Sequence, residues 1–452
     1  MNRRNGVRAA GTTATRLGVD TAPFRDHDVP TPRDGGAAER PRPKKGGRTL
    51  LGYLLVPRPG DLVKGLLMPT TFALGVLAGG HWDGQTVLRA LVAWIALELL
   101  VYPARYQWND VRGFVADQHH PGEKDRGRLP GPLDRARQHV TASCVVALAR
   151  LAAVACLALA LPGLRLGGLL LTITVGVFGI AVVYEALRSG TGRTGQVPAP
   201  LRPRLVALWI VVGAGYALRG MIGLVLAGDL GDRPGALVAA TVALWAFGIS
   251  FVTSRWALEA LAFARIDDGR LVWTARAEQA REHLLGLVRW LPARTAERDP
   301  ADWAALRGRT SLTAPWNLAL VLAGAAAGLT GPLLTGPVPV GHAVLAAVLG
   351  GMAALAAILV PRGRVAVVLG GAAVQWTALV ASAVPRPAFA VLPWLALMAA
   401  YLVFSGKRLN TIGTGTRRVR AAAGAVLVPV AHAVVGEATW SAVRSGGPRA
   451  TR

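Results

Sequence analysis

The chain has 452 residues, of which 52% are hydrophobic and only 17% charged, whereas soluble domains carry about 25% charged residues. Together with a mean hydropathy of +0.41, this composition excludes an ordinary soluble protein and predicts a polytopic membrane protein. The net charge of +25 falls mostly in short loops, so it indicates membrane topology and contact with anionic lipid, and we expect no nucleic-acid partner.

Both ends of the chain differ from its centre. Residues 1–48 are rich in Arg, Pro, Gly and Asp and lack the apolar core of a signal peptide, which predicts a disordered basic cytoplasmic tail. Residues 406–452 form a second basic tail. Within it, 421–436 is apolar but short and is interrupted by Pro429 and His432. We interpret it as an interfacial helix, with a further span as the alternative.

The central region 49–405 contains recurrent apolar runs, each long enough to cross a bilayer. They predict an all-α transmembrane bundle of about 9–10 spans. The predicted spans are 62–80, 86–106, 139–161, 167–187, 205–228, 236–263, 314–334, 341–360, 364–384 and 388–405. Loops rich in Lys and Arg alternate with loops that carry at most one Arg. This asymmetry predicts a multi-pass protein of the cell membrane whose N-terminus and basic loops are cytoplasmic.

The most polar stretch follows the second span. It reads Asn109-Asp110-Val111-Arg112-Gly113-Phe114-Val115-Ala116-Asp117, and a basic run with Lys124, Arg126 and Arg128 lies close behind it. Carboxylates and cations at a membrane face can hold a divalent metal and a diphosphate while an apolar tail stays in lipid. The stretch therefore predicts a phosphate site at the cytoplasmic face.

The spacing of its two aspartates limits any metal site. Asp110 and Asp117 are two helical turns apart, about 10.5 Å along the axis, which is too far for both to bind one Mg²⁺ at about 2.1 Å. A carboxylate at position 113 would bridge them, but Gly113 can only let the helix bend. We therefore expect further ligands, with Glu185 and Glu98 as the leading candidates.

Other charged residues lie within the predicted spans. Glu98 is too deep to face lipid, so it points into a cavity or pairs with an Arg on a neighbouring helix; both interpretations stay open. Arg255 and Glu259 are one turn apart, which predicts an ion pair, with a diphosphate cavity as the alternative. The later loop 265–312 is predicted to be an amphipathic interfacial segment over the mouth of that cavity.

Several of these motifs resemble those of the UbiA-type intramembrane prenyltransferases. The stretch 109–117 with its basic run is similar to the family's first signature, N-D-x-x-D-x-x-x-D. Arg58-Pro59-Gly60-Asp61-Leu62-Val63-Lys64 is similar to its opening R-P-x-x-W-x-K element. Tyr184-Glu185, the segment 216–223, and Arg255-Trp256 with Glu259 resemble later elements, nearest to the branch that transfers phosphoribosyl to decaprenyl phosphate.

The sequence departs from the family pattern in two places. Gly113 stands where the signature has its middle Asp, and the loop 188–204, where a second acidic motif is usual, contains no Asp or Glu. Glu185 is the only acid adjoining that loop, so it is our candidate for the second site.

The resemblance implies a UbiA-like fold and Mg²⁺-dependent transfer of a prenyl group from a polyprenyl (isoprenoid) diphosphate to an unknown acceptor, at the lipid bilayer. On this hypothesis the catalytic residues are Asp110, Asp117, Tyr184 and Glu98. Mg²⁺ is held by Asn109, Asp110, Asp117 and Glu185. The diphosphate is bound by Asn109, Lys124, Arg126, Arg128, Arg219 and Arg255. A terpene cyclase and a phosphoribosyl transferase acting on polyprenyl phosphate are the enzymatic alternatives. A non-catalytic prenyl-lipid binder or a transporter is the alternative from another class.

Overall fold

The computed structural model describes eight stretches of the chain and five isolated positions near its end. These are residues 48–79, 82–120, 126–198, 200–228, 232–276, 280–295, 310–360 and 362–405, with positions 421, 425, 429, 433 and 436. Lys124, the predicted tails and, apart from its isolated positions, the predicted interfacial helix 421–436 lie outside the described residues.

The first half of the described chain is almost entirely helical. Its helices are α1 (Leu50–Leu55), a 3₁₀ segment (Pro59–Leu66), α2 (Leu67–Leu77), α3 (Gly84–Ile95), a π-helical turn (Ala96–Val101), α4 (Tyr102–Gln118), α5 (Ala136–Ala160), α6 (Gly167–Ser189), α7 (Pro203–Val211), α8 (Ala214–Ala227) and α9 (Pro234–Ala260).

The second half begins with a small hairpin and ends in four long helices. Strands β1 (Ala264–Asp267) and β2 (Arg270–Trp273) pair antiparallel, with Ala264 opposite Trp273. They are followed by α10 (Glu282–Leu285), α11 (Pro315–Thr335), α12 (Val340–Leu359), α13 (Arg364–Ala381) and α14 (Pro387–Ser405).

Among the described residues, nine helical stretches are long and apolar enough to cross a membrane. They are Gly84–Gln118, Leu133–Ala160, Gly167–Ser189, Pro203–Ala227, Pro234–Phe263, Pro315–Thr335, Val340–Leu359, Arg364–Ala381 and Pro387–Ser405. The pair Leu50–Asp61 and Val63–Leu77, bent by 57°, makes a tenth. The predicted all-α, multi-pass bundle of nine or ten spans is confirmed, while its UbiA-like arrangement stays a prediction.

The second predicted span is longer than its hydropathy indicates. A single helical stretch runs from Gly84 to Gln118, so the helix continues past the predicted end of the span at 106, as the two-turn spacing of Asp110 and Asp117 assumes. Pro103 lacks an N–H and its ring clashes with the carbonyl four residues earlier. The π-helical turn directly before Pro103 widens the helix at that carbonyl and lets the stretch continue.

The helices pack around two main apolar clusters. One gathers side chains of α2 to α6 and α8, and the other gathers side chains of α7, α9 and α11 to α14. Helices α11 and α12 touch through their backbones, because a Cβ on Gly324 would lie 2.8 Å from the carbonyl oxygen of Gly350. Small residues permit such close crossings in membrane bundles.

The described part of 265–312 differs from the predicted amphipathic interfacial segment. It contains the β1–β2 hairpin, and the following helix α10 is buried on all four of its residues. Leu285 and Leu287 are fully buried, and Leu287 packs with side chains of α7 and α9. The segment docks on the bundle because its apolar side chains pack into protein rather than lipid headgroups.

Candidate functional site

Asp110 on α4 is fully buried and lies between two guanidinium groups. Arg58, at the start of the 3₁₀ segment, donates from Nε to Asp110 Oδ1 at 3.0 Å and also donates from Nη2. Arg128 Nη1 donates to the same oxygen at 2.9 Å. The Tyr53 hydroxyl donates to Oδ2 at 3.3 Å. Both oxygens of this carboxylate therefore accept hydrogen bonds from side chains.

Asn109 connects this cluster to α6. Its amide Nδ2 donates to Glu185 Oε1, while its Oδ1 accepts from Arg58 Nη2. The other oxygen of Glu185 accepts from Arg188 Nη2 at 2.8 Å and from Arg112 Nε at 3.3 Å. Glu185, our candidate for the second site, thus belongs to the same hydrogen-bonded network as the first signature.

Arg126 forms a neighbouring group of ion pairs that reaches α9. Its Nη1 donates to Asp117 Oδ1 at 2.8 Å, and its Nη2 lies 2.5 Å from Glu259 Oε1. His120 Nε2 lies 4.0 Å from the same glutamate oxygen. Burial, reinforced by Arg126, lowers the pKa of His120 to about 4, so its imidazole is neutral at pH 7. We call the whole set the acid–arginine network: Arg58, Asn109, Asp110, Arg112, Asp117, Arg126, Arg128, Glu185, Arg188 and Glu259.

Gly113 does not bend the helix, since α4 continues without a break to Gln118. A Cβ placed on Gly113 would lie 3.3 Å from Asp117 Oδ2. The Asp117 side chain therefore leans back over the position where the signature has its middle aspartate. Asp110 and Asp117 stay two turns apart, as the sequence spacing requires.

The residues predicted to hold Mg²⁺ do not fit a metal ion in this arrangement. Both oxygens of Asp110 and one of Asp117 accept from side-chain donors, and both oxygens of Glu185 do so as well. Guanidinium, amide and hydroxyl donors thus surround these oxygens, and the guanidinium groups place positive charge where a metal ion would have to lie. Within the described stretches, no three His, Cys, Asp or Glu side chains come together as a metal site.

A second ion pair lies deeper in the bundle. Arg219 on α8 holds Glu98 with two hydrogen bonds, Nε to Oε1 at 2.7 Å and Nη2 to Oε2 at 3.1 Å. The Arg219 guanidinium also donates to the hydroxyl of Tyr106 at 3.2 Å and lies 3.3 Å from the ring centre of Tyr102. Of the two interpretations of Glu98, the structure shows pairing with an Arg on a neighbouring helix. Arg219, predicted to bind diphosphate, is the counter-ion of that buried acid.

Beside the network, cations contact aromatic rings of α4, α6 and α9. Arg105 lies 5.5 Å from the ring centre of Tyr106 and 5.6 Å from that of Tyr184. The Tyr184 ring is 6.4 Å from that of Trp256 on α9. Arg255, next to Trp256 in the chain, lies 6.0 Å from the centre of Phe251.

Lys64 of the 3₁₀ segment completes this arrangement. Its Nζ lies 5.8 Å from the ring centre of Phe251 and 5.9 Å from that of Tyr216. It pairs with Asp61 at 2.6 Å. The hydroxyl of Tyr216 is buried and has no hydrogen-bond partner among the described residues. We call this set the cation–aromatic ring: Lys64, Arg105, Arg255, Tyr106, Tyr184, Tyr216, Phe251 and Trp256.

Two cations of the cation–aromatic ring, Arg105 and Arg255, form no ion pair with a described residue. The i,i+4 ion pair predicted between Arg255 and Glu259 is not among the ion pairs of the described residues, because Glu259 pairs with Arg126 instead. Arg105 likewise contacts aromatic rings and has no carboxylate within ion-pair distance in the described part of the chain. Arg105 and Arg255 are therefore cations that can accept an anionic ligand.

An acidic residue from elsewhere in the chain, Glu282, contacts the loop that follows α6. Glu282 of α10 accepts at Oε2 from the backbone N–H of Gly192 at 3.0 Å, and its own N–H donates to the Gly192 carbonyl at 3.0 Å. A Cβ on Gly192 would lie 2.5 Å from Glu282 Oε1, so a larger residue there would require the Glu282 carboxylate to shift. Next to it, His283 contacts the Trp256 ring at 4.9 Å, which places α10 against the cation–aromatic ring.

Several of these residues were missed by the sequence analysis. Arg58 lies in the motif Arg58–Lys64, but nothing in that motif indicates a bond to Asp110. No sequence pattern indicates the hydrogen bond from Tyr53 to Asp110. Glu282 and His283 lie 90 or more residues from their loop partners Gly192 and Thr191, so local spacing could not identify them.

No family model, no curated protein and no solved structure matches the chain. The chemistry of the site is therefore inferred from its residues.

Proposed function

We propose that the chain is a membrane-embedded prenyltransferase that transfers a prenyl group from an isoprenoid diphosphate to an acceptor. The observation that carries this proposal concerns Arg105 and Arg255, two half-buried cations that form no ion pair among the described residues. Partial burial of a cation becomes less costly when an anion neutralises it. A diphosphate supplies that anion, and guanidinium groups bind phosphate oxygens through directed, charge-assisted hydrogen bonds.

Aromatic side chains support the choice of an isoprenoid. Phe251 of the cation–aromatic ring contacts Phe247 and Phe404 with centroid distances of 6.3 and 5.0 Å, and these three rings belong to or pack on the apolar core of the spans. A prenyl tail would lie against this apolar part of the bundle while the charged head group stays beside the cations. The basic residues Arg126, Arg128 and Arg188, which lie at the site, favour the cytoplasmic face.

The same rings suit the chemistry of prenyl transfer. In that reaction the bond between the allylic carbon and the diphosphate oxygen breaks, and the electron pair leaves with the diphosphate. The acceptor's lone pair then closes on the carbon, and the acceptor loses a proton. Aromatic faces attract a cation through their quadrupole, so Tyr106, Tyr184 and Trp256 can stabilise the allylic cation. Arg105 and Arg255 would neutralise the departing diphosphate.

Binding and turnover by the full chain in lipid nanodiscs test the proposal. We expect radiolabelled geranylgeranyl diphosphate to bind, and Arg105→Gln and Arg255→Gln each to weaken binding about tenfold or more, because each removes a charged hydrogen-bond donor. The matched control is Arg265→Gln, since Arg265 is 66% exposed outside the ring and its loss should leave the affinity unchanged. No binding across a panel of isoprenoid diphosphates would refute the proposal.

Turnover separates the remaining functions. Release of diphosphate that requires an added acceptor supports the prenyltransferase, whereas release with no acceptor indicates a terpene cyclase. Binding without release under either condition indicates a non-catalytic prenyl-lipid binder. Transfer of phosphoribosyl to a polyprenyl phosphate, measured with the labelled sugar donor, would replace the proposal by that alternative.

A further inference from the structure

We propose that this site binds the diphosphate through guanidinium and ammonium groups alone, with Asp110 acting as the anchor of two arginines rather than as a metal ligand. The inference rests on the proposed function, because it concerns how the isoprenoid diphosphate is neutralised. It differs from the Mg²⁺-dependent binding that the sequence motif predicts.

The geometry of Asp110 is the first support. The carboxylate is fully buried, and its Oδ1 accepts from both Arg58 and Arg128. One carboxylate therefore holds two guanidinium groups, and the acid–arginine network as a whole has five arginines for four carboxylates, a surplus of one positive charge. Two guanidinium groups held this close repel each other unless an anion lies between them. Asp110 supplies part of that neutralisation, and a phosphate can supply the rest.

Unused hydrogen-bond donors are the second support. A guanidinium carries five N–H donors in a fixed fork. The described contacts of Arg128 to Asn109 and Asp110 use only Nη1. Those of Arg58 to Asn109 and Asp110 use Nε and Nη2. Asp110 thus fixes the orientation of both guanidinium planes. Each arginine keeps N–H groups that donate to no described residue.

The surrounding acids keep these arginines charged. Burial alone would lower the pKa of Arg128, but Asp117, Asp110 and Glu259 raise it above its usual value. Arg105 and Arg255 of the cation–aromatic ring, which form no ion pair among the described residues, add further positive charge beside the network, whereas Lys64 is paired with Asp61. Positive side chains therefore supply here the charge that a bound metal supplies in a carboxylate-rich diphosphate site.

Glycine at position 113 agrees with this arrangement. A third carboxylate between Asp110 and Asp117 would add negative charge beside Arg126 and Arg128 and cancel part of the surplus. With Gly113 the surface of α4 that faces the arginines carries two carboxylates, and each is already paired. Gly113, the residue that departs from the metal-binding signature, therefore keeps further negative charge away from the arginines.

The experiment compares two buffers with the full chain in nanodiscs, using calorimetric titration of geranylgeranyl diphosphate in excess EDTA and in excess Mg²⁺. If guanidinium groups carry the binding, the affinity in EDTA equals or exceeds the affinity in Mg²⁺, because the metal neutralises the ligand and competes for its oxygens. Tighter binding in Mg²⁺ by about tenfold or more overturns the inference but leaves the proposed function intact. No binding in either buffer refutes both.

Variants of the chain locate the binding groups within the same experiment. Arg128→Gln should weaken binding in EDTA about tenfold or more, while Asp110 keeps Arg58 as a counter-ion. Since Arg128→Gln can also disturb folding, Arg105→Gln provides a second reading at a residue without an ion pair among the described residues. Arg265→Gln is the control. Unchanged affinity in EDTA for both Arg128→Gln and Arg105→Gln would overturn the inference.

Discussion

Arg58 Nε lies 3.0 Å from Asp110 Oδ1 although the two residues are 52 positions apart in the chain. Their side chains are 11% and 0% exposed, so the pair is almost completely shielded from water. It fastens the 3₁₀ segment, which lies at the bend between Leu50–Asp61 and Val63–Leu77, to the end of the second span. Asp110, which the sequence motif predicts to be a metal ligand, thus cross-links two parts of the bundle.

The first prediction concerns this cross-link. Asp110→Ala leaves Arg58 and Arg128 facing each other without a counter-ion, and the loss of one partner from a buried ion pair costs about 3–5 kcal/mol. We expect a clear fall in the thermal unfolding midpoint of the protein in detergent. The control is Asp134→Ala, because Asp134 is exposed. An unchanged midpoint for Asp110→Ala would show that the pair does not stabilise the bundle.

The second prediction separates stability from ligand binding at the deeper pair, Glu98 and Arg219. Each single change, Glu98→Leu or Arg219→Met, strands one buried charge and should cost about 3–5 kcal/mol, whereas replacing both charges by apolar residues is often neutral. The double variant should therefore unfold near the wild-type temperature.

The same double variant tests the role that the sequence predicts for Arg219. If Arg219 serves only as the counter-ion of Glu98, the stable double variant binds geranylgeranyl diphosphate with wild-type affinity. A loss of affinity in a variant that unfolds normally would instead place Arg219 in the diphosphate site.

The sequence was sufficient for the spans because hydropathy and helix length are local properties. Hydropathy was not sufficient for the end of the second span, where the residues from Gln107 to Gln118 mix polar and apolar side chains and stay helical. Gln107, Asn109 and Asp110 are buried, so packing and hydrogen bonds with distant residues stabilise a helix that hydropathy alone would end.

Site residues were predictable by type but not by partner. Asp110 and Glu185 lie in one hydrogen-bonded network and Asp117 in a neighbouring group. Apart from Arg188, which lies on α6 with Glu185, the charges that pair with these acids come from other elements or from the loop after α4. Spacing along the chain indicates only partners that are near in sequence, as with the ion pair predicted between Arg255 and Glu259. The observed partner of Glu259 is Arg126, which lies on a different element and is brought close only by the fold.

The third prediction restores the missing carboxylate of the signature. Gly113→Asp adds an acid three residues after Asp110 and four before Asp117, on the same helical face. We expect this variant to gain binding of Mn²⁺, measured by electron paramagnetic resonance, and to bind diphosphate more tightly with metal than with EDTA. The wild-type chain should show neither property.

Gly113→Ala is the matched control for that change. A Cβ at this position meets only Asp117, at 3.3 Å from Oδ2, and Arg126 holds the other oxygen, so the carboxylate can rotate slightly. Replacing a helical glycine by alanine should then stabilise the protein by about 0.5–1 kcal/mol without metal binding. Mn²⁺ binding by the alanine variant, or by the wild type, would contradict the arginine-based site.

The fourth prediction concerns the pH dependence of stability through His283 on α10. Burial lowers the pKa of His283 to about 3, and Arg188 and Arg281 contribute to the shift. The neutral imidazole lies 3.4 Å from the Thr191 hydroxyl and packs against Trp256. Because the unfolded chain binds a proton near pH 6.5 and the folded chain does not, the stabilisation is complete above that pH and declines as the pH falls toward 3.

The expected effect is a loss of about 2 kcal/mol between pH 7.5 and pH 5 from this residue. It is measured as the fall in the thermal unfolding midpoint over that range. His283→Gln cannot take up the proton, so its midpoint should fall less steeply with pH than that of the wild type. His119→Gln, at an exposed histidine, should follow the wild-type curve. Equal slopes for His283→Gln and the wild type would mean that protonation of His283 does not oppose the docking of α10 on the bundle.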